Sequence, residues 1–358
     1  MPLYSRPMIQ DSEPTTQNPT LTNIQDLGEF GLIEHLTKNL IAVQESTIKA
    51  AGDDAAVIHY EKGEILVSTD MYVEGVHFDM VYTPLMHLGY KCITASISDI
   101  YAMNGMATQV LVSLALSSRF TVEAMDELYG GMRIACKTYG VDLVGGDTTS
   151  SKLGLVINVT AIGQADKSLI CYRNGAQNGD IICVSGDLGG AYIGLQILER
   201  EKRVYLEAPT AQPELSGFDY VLKRQLRPEA RKDVVEILKA VGIKPTAMID
   251  VSDGLASEIM HICKQSDMGC LLEEENIPID ENTYHTAISF NIDPTLCALS
   301  GGEDYELLFT INPSDYEKIK HNPDITQIGR IIEKDKGCKI LTKSGNLHDL
   351  QAQGWRHF

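Results

Sequence analysis

Apolar and polar positions alternate along this chain with two periods, and the change from one to the other marks the elements. From Phe30 to Leu40 the apolar residues fall at helical spacing (Phe30, Ile33, Leu36, Leu40), which predicts a short helix. Two short apolar runs follow, Ala55 to Tyr60 and Ile65 to Val67, separated by Lys62-Gly63, and they predict a β-hairpin. Thr83-Pro84 opens a helix whose buried stripe is Leu85, Leu88, Cys92, Ile93, Ile97 and Ile100, and Asn104-Gly105 closes it. Leu111 to Leu116 predicts a strand, and Val122 to Tyr139 a helix ending at Gly140. Val141 to Val144 is a short buried strand. In Leu155 to Ile162 the residues Val156, Asn158 and Thr160 alternate against Leu155, Ile157, Val159 and Ala161, the signature of a strand with two unlike faces.

The same alternation resumes after a boundary near Gly163 to Lys167. Gly179 to Gly186 predicts a strand entering a glycine-rich loop, then a helix from Gly190 to Glu201 and an irregular connection from Val204 to Gly217. A helix over Glu229 to Val241 follows Pro228, then a strand-to-helix unit from Met248 to Lys264. Strands over Gly269 to Leu272, Tyr305 to Ile311 and Ile325 to Ile332, with a helix over Pro313 to His321, complete the pattern. Alternating strands and helices in both halves predict an α/β (α+β) protein with a mixed sheet and helices in each domain. With 358 residues, two domains are expected: 27–164 and 165–358. Residues 1–26 are polar, carry Pro2, Pro7, Pro14 and Pro19, lack the apolar core of a signal peptide, and are expected to form a flexible extension.

Charge narrows the function. A net charge of −19 argues against binding nucleic acid through a basic face. No apolar run approaches the roughly 20 residues that span a bilayer. A cytoplasmic protein is expected. The eight cysteines contain no CxxC pair and most sit in apolar runs, so they are expected to be buried reduced thiols rather than a zinc site.

Candidate chemistry lies in six aspartates, each at the end of an apolar run or next to glycine. They are Asp54, Asp70, Asp99, Asp147, Asp250 and Asp253. Hairpin geometry would bring Asp54 and Asp70 together. Carboxylates that converge repel one another, and a hard divalent cation such as Mg²⁺ relieves that. Other readings stand beside this one. Asp53 fits a turn cap as well as a ligand, Asp99 alone fits a solvated helix position, and Gly145-Gly146 fits a tight turn. Ser252 or Asp253 would serve as a helix N-cap, His77 as a packing residue, and Trp355 as a tail anchor. Gly186 to Gly190 lacks the Lys-Ser/Thr ending of a phosphate loop.

Taken in order, these motifs resemble those of the thiamine-monophosphate kinases, within the aminoimidazole ribonucleotide synthetase-like superfamily. They are Gly52-Asp53-Asp54-Ala55, Ser68-Thr69-Asp70, Glu74-Gly75-Val76-His77-Phe78, Ser98-Asp99 and Gly145-Gly146-Asp147-Thr148-Thr149 in the first half. Arg173, Leu226-Arg227-Pro228, Asp250-Val251-Ser252-Asp253-Gly254, Gly301-Gly302-Glu303-Asp304-Tyr305-Glu306 and the closing Trp355-Arg356-His357-Phe358 follow. The likeness covers about Leu27 to Phe358. Two positions depart from it: Ser96 stands where the family often has Asn, and Glu258 where it usually has Asp.

The resemblance implies a two-domain fold, a homodimer formed through the N-terminal domain, and transfer of the ATP γ-phosphoryl group to thiamine monophosphate. It implies several Mg²⁺ ions held by Asp54, Ser68, Thr69, Asp70, Asp99, Asp147, Asp250 and Asp253. Nucleotide contacts would come from Gly146, Asp147, Arg173 and Ser252, and thiamine contacts from His77, Glu303 and Trp355. Because the acceptor is itself a phosphate, dianionic near neutrality, no general base is needed and direct in-line transfer is expected. Two other readings are another enzyme of the superfamily and a non-catalytic nucleotide-binding regulator. No cysteine precedes Cys92, which disfavours selenophosphate synthetase, and the His357-Phe358 terminus disfavours the hydrogenase-maturation member.

Overall fold

The computed structural model describes residues 22, 24–50, 57–60, 63–210 and 212–352. Asp53, Asp54 and Trp355 lie outside the described residues, as does most of the expected extension. The chain divides into two compact units. One comprises Met1–Glu61, Thr69–Ser96 and Thr108–Ala161, and the other Lys62–Ser68, Ile97–Ala107 and Ile162–Phe358.

The first half opens with α1 (Ile24–Thr37), so the last residues of the expected extension are helical. β1 (Thr47–Lys49) and β2 (Val57–Ile58) pair antiparallel in a sheet of their own. The expected hairpin between Ala55–Tyr60 and Ile65–Val67 is therefore not formed. β3 (Glu64–Val73) instead joins a four-stranded sheet with β4 (Met106–Leu116), β5 (Asp142–Ser150) and β6 (Val156–Ala165), in the order β3-β6-β4-β5. Two apolar runs beside a glycine satisfy hairpin pattern rules, but backbone groups pair wherever a longer partner is available. β3 has ten residues to match and β2 has two. The alternation expected in β6 is exact in its consequences: Ile157, Val159 and Ala161 are fully buried while their neighbours are not.

α2 (Leu85–Ala102) and α3 (Val122–Tyr139) approach one another through glycines. A Cβ at Gly89 would lie 2.0 Å from the Leu128 carbonyl oxygen, and one at Gly131 would lie 1.8 Å from that of Met86. A larger residue at either position would force the helices apart. α3 ends at Gly140 in the left-handed conformation that closes a helix without steric cost. Asp142, at the start of β5, is a buried carboxylate with a structural task. It accepts from the backbone of Val43 (2.6 Å) and Gln44 (3.0 Å) and from the Thr47 hydroxyl (2.6 Å).

The second half is built on a seven-stranded mixed sheet. Its strands are β7 (Ile181–Ser185), β8 (Ala247–Asp250), β9 (Gly269–Glu273), β10 (Leu307–Ile311), β11 (Ile325–Ile332), β12 (Cys338–Leu341) and β13 (Leu347–Asp349). Their order is β13-β12-β9-β11-β7-β10-β8. The helices are α4 (Gly190–Glu207), α5 (Asp219–Leu226), α6 (Lys232–Ala240), α7 (Leu255–Ser266), α8 (Glu281–Ser289), α9 (Pro294–Ser300) and α10 (Pro313–Tyr316). α4 runs to Glu207, past the start of the irregular connection expected from Val204, although its buried face ends at Glu201 and its last turns are largely exposed. α6 begins at Lys232, three residues later than Glu229, since Arg231 is drawn to acidic side chains. β7 and β10, inside the sheet, and β8, at its edge, are almost wholly apolar and buried, so the sheet is covered on both faces here.

Candidate active site

The acidic motifs reach the structure by different routes. β3 places Ser68, Thr69 and Asp70 in succession, so alternate side chains leave on opposite faces of the sheet. The Ser68 hydroxyl donates to Asp99 on α2. Thr69 points the other way, toward the Thr160 hydroxyl (3.1 Å) and Asn158 on β6. Asn158 also donates to the Asp70 carbonyl oxygen at 2.9 Å. Ser96, one turn before Asp99, is fully buried and meets the Tyr72 hydroxyl at 3.1 Å, so the short side chain at this position is satisfied within the fold.

β8 carries Asp250 at its C-terminal end. There the Ser98 hydroxyl donates to an Asp250 oxygen at 2.7 Å. Ser98 and Asp99 are neighbours on α2, so two adjacent residues of one helix hold, between them, Ser68 and Asp250 from two different strands. Burial pushes the Asp250 carboxyl up to about 7, and the negative charge of Asp99 adds to the rise, while the Ser98 bond and the Arg173 charge oppose it. Arg173 is exposed and follows Tyr172, whose carbonyl accepts from the Met248 amide at 3.0 Å. That bond fixes Arg173 beside β8.

After β8 the chain turns through Val251-Ser252-Asp253-Gly254 into α7. Neither Ser252 nor Asp253 is the N-cap: Gly254 occupies that position and no side chain caps the helix. Glu258 reaches back and accepts from the Asp253 amide at 3.0 Å. Burial pushes Glu258 up to about 8, the Asp253 amide bond opposes the rise, and the charges of Asp250 and Asp253 add to it. Glu258 thus belongs to the same electrostatic cluster as Asp250, although sequence comparison left it out of the ligand set. The signal was its spacing, one helical turn beyond the Asp-Gly step.

The glycine-rich segment Gly301–Glu306 lies against this turn. The Glu303 amide donates to the Ser252 carbonyl (2.7 Å) and the Tyr305 amide to that of Val251 (2.9 Å). Glu303 and Tyr305 both have positive φ, 59° and 53°, a conformation that costs non-glycine residues on the order of 1 kcal/mol or more. The Glu303 carboxylate accepts from Gln225 at 2.9 Å. Next to it a second acidic group is differently arranged. Arg224 binds Glu306 at 2.9 Å and Asp304 at 3.4 Å, and Arg231 binds Glu306 at 2.6 Å.

The remaining expected residues belong to the first unit. His77 accepts the Val73 amide on Nδ1 at 3.1 Å and packs edge-on to Tyr72. Gly146 and Asp147 are not in a turn but inside β5, paired with Val112 and Ser113 of the parallel β4. A Cβ at Gly146 would lie 1.7 Å from the Val112 carbonyl oxygen, so strand pairing requires glycine there. Asp147 is exposed, and β5 is at the opposite edge of its sheet from β3. The structure thus brings together Ser68, Asp99, Asp250, Ser252, Asp253, Arg173 and Glu303 within the second unit, and adds Ser98 and Glu258; Thr69, His77, Gly146 and Asp147 belong to the first unit.

A mixed-sheet fold carrying hydroxyl-braced aspartates on a helix and at a strand end defines a class, and the comparisons agree with it. Residues 52–165 match the family "AIR synthase related protein, N-terminal domain". Solved hydrogenase-maturation protein HypE shares the fold at a TM-score of 0.69 with 17% identity, covering 90% of this chain and 98% of its own. The particular family is narrower. The thiamine-monophosphate kinase of Bacillus subtilis is 36% identical over 93% of this chain and 100% of its own length. That of Aquifex aeolicus is 34% identical over 94% and 99%. The structure "AaThiL complexed with AMPPCP and TMP" superposes with a TM-score of 0.70 at 31% identity, covering 95% of this chain and 100% of that one. The chain belongs to the thiamine-monophosphate kinase family.

Proposed function

We propose that this chain transfers the γ-phosphoryl group of ATP to thiamine monophosphate, giving thiamine diphosphate and ADP. The observation that carries this reading is likeness along nearly the whole chain to relatives of that name, one of them solved with AMPPCP and TMP. The acidic cluster supports it chemically. Its donors are carboxylate and hydroxyl oxygens, the hard set that Mg²⁺ prefers, and burial with mutual repulsion leaves its carboxyls short of positive charge. Asp70, Asp99, Asp250 and Asp253 would hold the ions, with Ser68, Thr69, Asp54 and Asp147 as further ligands. Bound Mg²⁺ would neutralise charge on the two phosphate-bearing substrates.

The protein's own groups position and neutralise. Arg173 extends an exposed guanidinium beside Asp250, suited to a phosphate oxygen. Gly146 and Ser252 offer backbone and hydroxyl contacts to the nucleotide. Glu303, Trp355 and His77 would contact the cationic thiamine end, because a carboxylate and an aromatic ring both attract positive charge. No residue is assigned as general base, because the acceptor phosphate is already anionic. Transfer is direct and in line. The enzyme works in the cytoplasm as a homodimer joined through its N-terminal domain. No described helix is long and apolar enough to cross a membrane.

The deciding assay is incubation of the full chain with ATP, Mg²⁺ and thiamine monophosphate. ADP and thiamine diphosphate should appear in equal amounts and cease on chelation. ATP bound without turnover would point to a regulator instead. Label retained on the protein from γ-labelled ATP, with no acceptor present, would overturn direct transfer.

A further inference from the structure

Three of the eight cysteines, from three different elements, meet in space. Cys263 lies on α7, Cys270 on β9 and Cys338 on β12, and their sulfur atoms are all within 4.8 Å of one another. Two of them are positioned by sheet register: Cys270 and Cys338 are direct partners in the parallel pair β9–β12, so their side chains leave on the same face. α7 covers that face and supplies the third. Cys263 and Cys270 are buried in the hydrophobic cluster that includes Leu272, Ile331, Ile340 and Leu350, whereas Cys338 is half-buried at its margin. The set lies toward the β12 edge of the sheet, with β11, β7 and β10 between it and β8, which carries Asp250. It is therefore separate from the candidate active site.

We infer that Cys263, Cys270 and Cys338 form a three-thiolate site for a soft, thiophilic metal cation, with Cu(I) the ion it suits best. The sequence offered no CxxC pair and the thiols were expected to be ordinary core residues. A lone core cysteine does pack as a small apolar group. Three sulfurs converging from three elements are a different arrangement. Bonds of about 2.3 Å from one metal place thiolate sulfurs just under 4 Å apart, so this cluster needs only a slight contraction to close on an ion. The donor set selects the class of ion. It contains sulfur alone, with no His, Asp or Glu joining it among the described residues, which excludes hard cations such as Mg²⁺. Zinc takes four ligands in structural sites, whereas Cu(I) is content with three. Entry is open at the half-buried Cys338. Binding displaces thiol protons to solvent, one from each sulfur that becomes a ligand.

The site ties α7 to β9 and β12. α7 begins directly after the Ser252-Asp253-Gly254 turn, so a metal at its other end would hold the helix that follows Asp253 and carries Glu258.

The test is anaerobic titration of the reduced full chain with Cu(I) against a chromogenic Cu(I) chelator. One ion per chain is expected, with three sulfur neighbours by X-ray absorption, release of protons to the buffer, and no displacement by excess Mg²⁺. Cys338→Ser, at the half-exposed ligand, should weaken binding by more than the roughly 10–100-fold that loss of a mere supporting residue costs a metal site. Its melting curve without metal should match the parent's, which separates ligand loss from misfolding. Cys338→Ala serves if the serine variant is unstable. Equal Cu(I) affinity in parent and variant would overturn the assignment. So would a protein that takes up no metal and, on air exposure, only loses two hydrogens to a Cys270–Cys338 disulfide.

Discussion

Two groups of buried carboxylates stand near each other at the ends of β8 and β10, and they are opposites. Asp304 and Glu306 are embraced by Arg224 and Arg231, both themselves mostly buried, and Asp304 also takes the Gly189 amide at 2.8 Å. That group has its cations within the protein, although burial still raises Asp304 to about 7 against the pull of Arg224. Asp99, Asp250 and Glu258 have hydroxyls and backbone amides as close partners, and the nearest cation, Arg173, acts only through its charge. That group is short of positive charge and must obtain it as protons or from a bound cation. The contrast separates carboxylates that build the fold from carboxylates that await a ligand, although both occur in glycine-rich acidic motifs. Asp142, satisfied by two backbone amides and a threonine, falls on the building side.

Substitutions should therefore have opposite signatures in the two groups. Asp250→Asn is the most severe for turnover: a loss of about 10³-fold, or ~4 kcal/mol of transition-state stabilisation, is expected. The melting temperature should stay the same or rise, because a repelling charge is gone. Near-normal turnover would break the distinction. Arg224→Met acts on stability instead. Leaving Asp304 and Glu306 without that partner should cost about 3–5 kcal/mol in denaturant unfolding. A change below ~1 kcal/mol would show that the paired group is not structural.

Acidity provides a finer test. In the folded protein Asp250 is raised from an ordinary 3.8 to about 7, and Glu258 from 4.5 to about 8. A raised carboxyl favours the protonated folded state. Its contribution is complete below about pH 4 and is lost as pH climbs through those values. Metal-free protein should accordingly melt at lower temperature at pH 8 than at pH 5.5, by roughly 4–8 °C. Mg²⁺ should restore the part of the loss at pH 8 that comes from Asp250 and Glu258, not the part from Asp304, and little at pH 5.5. Equal melting at both values without metal would remove the repulsion from the account. Smallest of all, Ser98→Ala removes one hydrogen bond to Asp250. It should cost about 1 kcal/mol, read as a roughly fivefold rise in the Mg²⁺ concentration for half-maximal activity.

Much of this was legible in the chain. Long elements with clear periods, such as α3, β6 and α7, appear where the pattern puts them, because their stabilisation comes from an apolar face that the sequence itself displays. The short ones were not legible. α5, α8, α9, β12 and β13 were not anticipated, since each is too brief to show a period and is held by its neighbours. The predicted hairpin failed for the same reason, since a two-residue β2 takes whatever edge is offered, here β1. Within the site, the residue types were legible and their partners were not. Ser98 looked like a helix residue until β8 brought Asp250 to it, and Glu258 looked like a departure until it turned back to the Asp253 amide.

The order of motifs, the glycines that permit close backbone approach and the acidic character of the site were determined by the sequence alone, because each depends on residue type and local spacing. Which carboxylates are paired, which are left short of charge, and that Cys263, Cys270 and Cys338 share one face were decided by tertiary structure. Hydrogen bonding, repulsion and metal ligation act over a few ångströms of space, and β-sheet register sets those distances between residues that the chain keeps far apart.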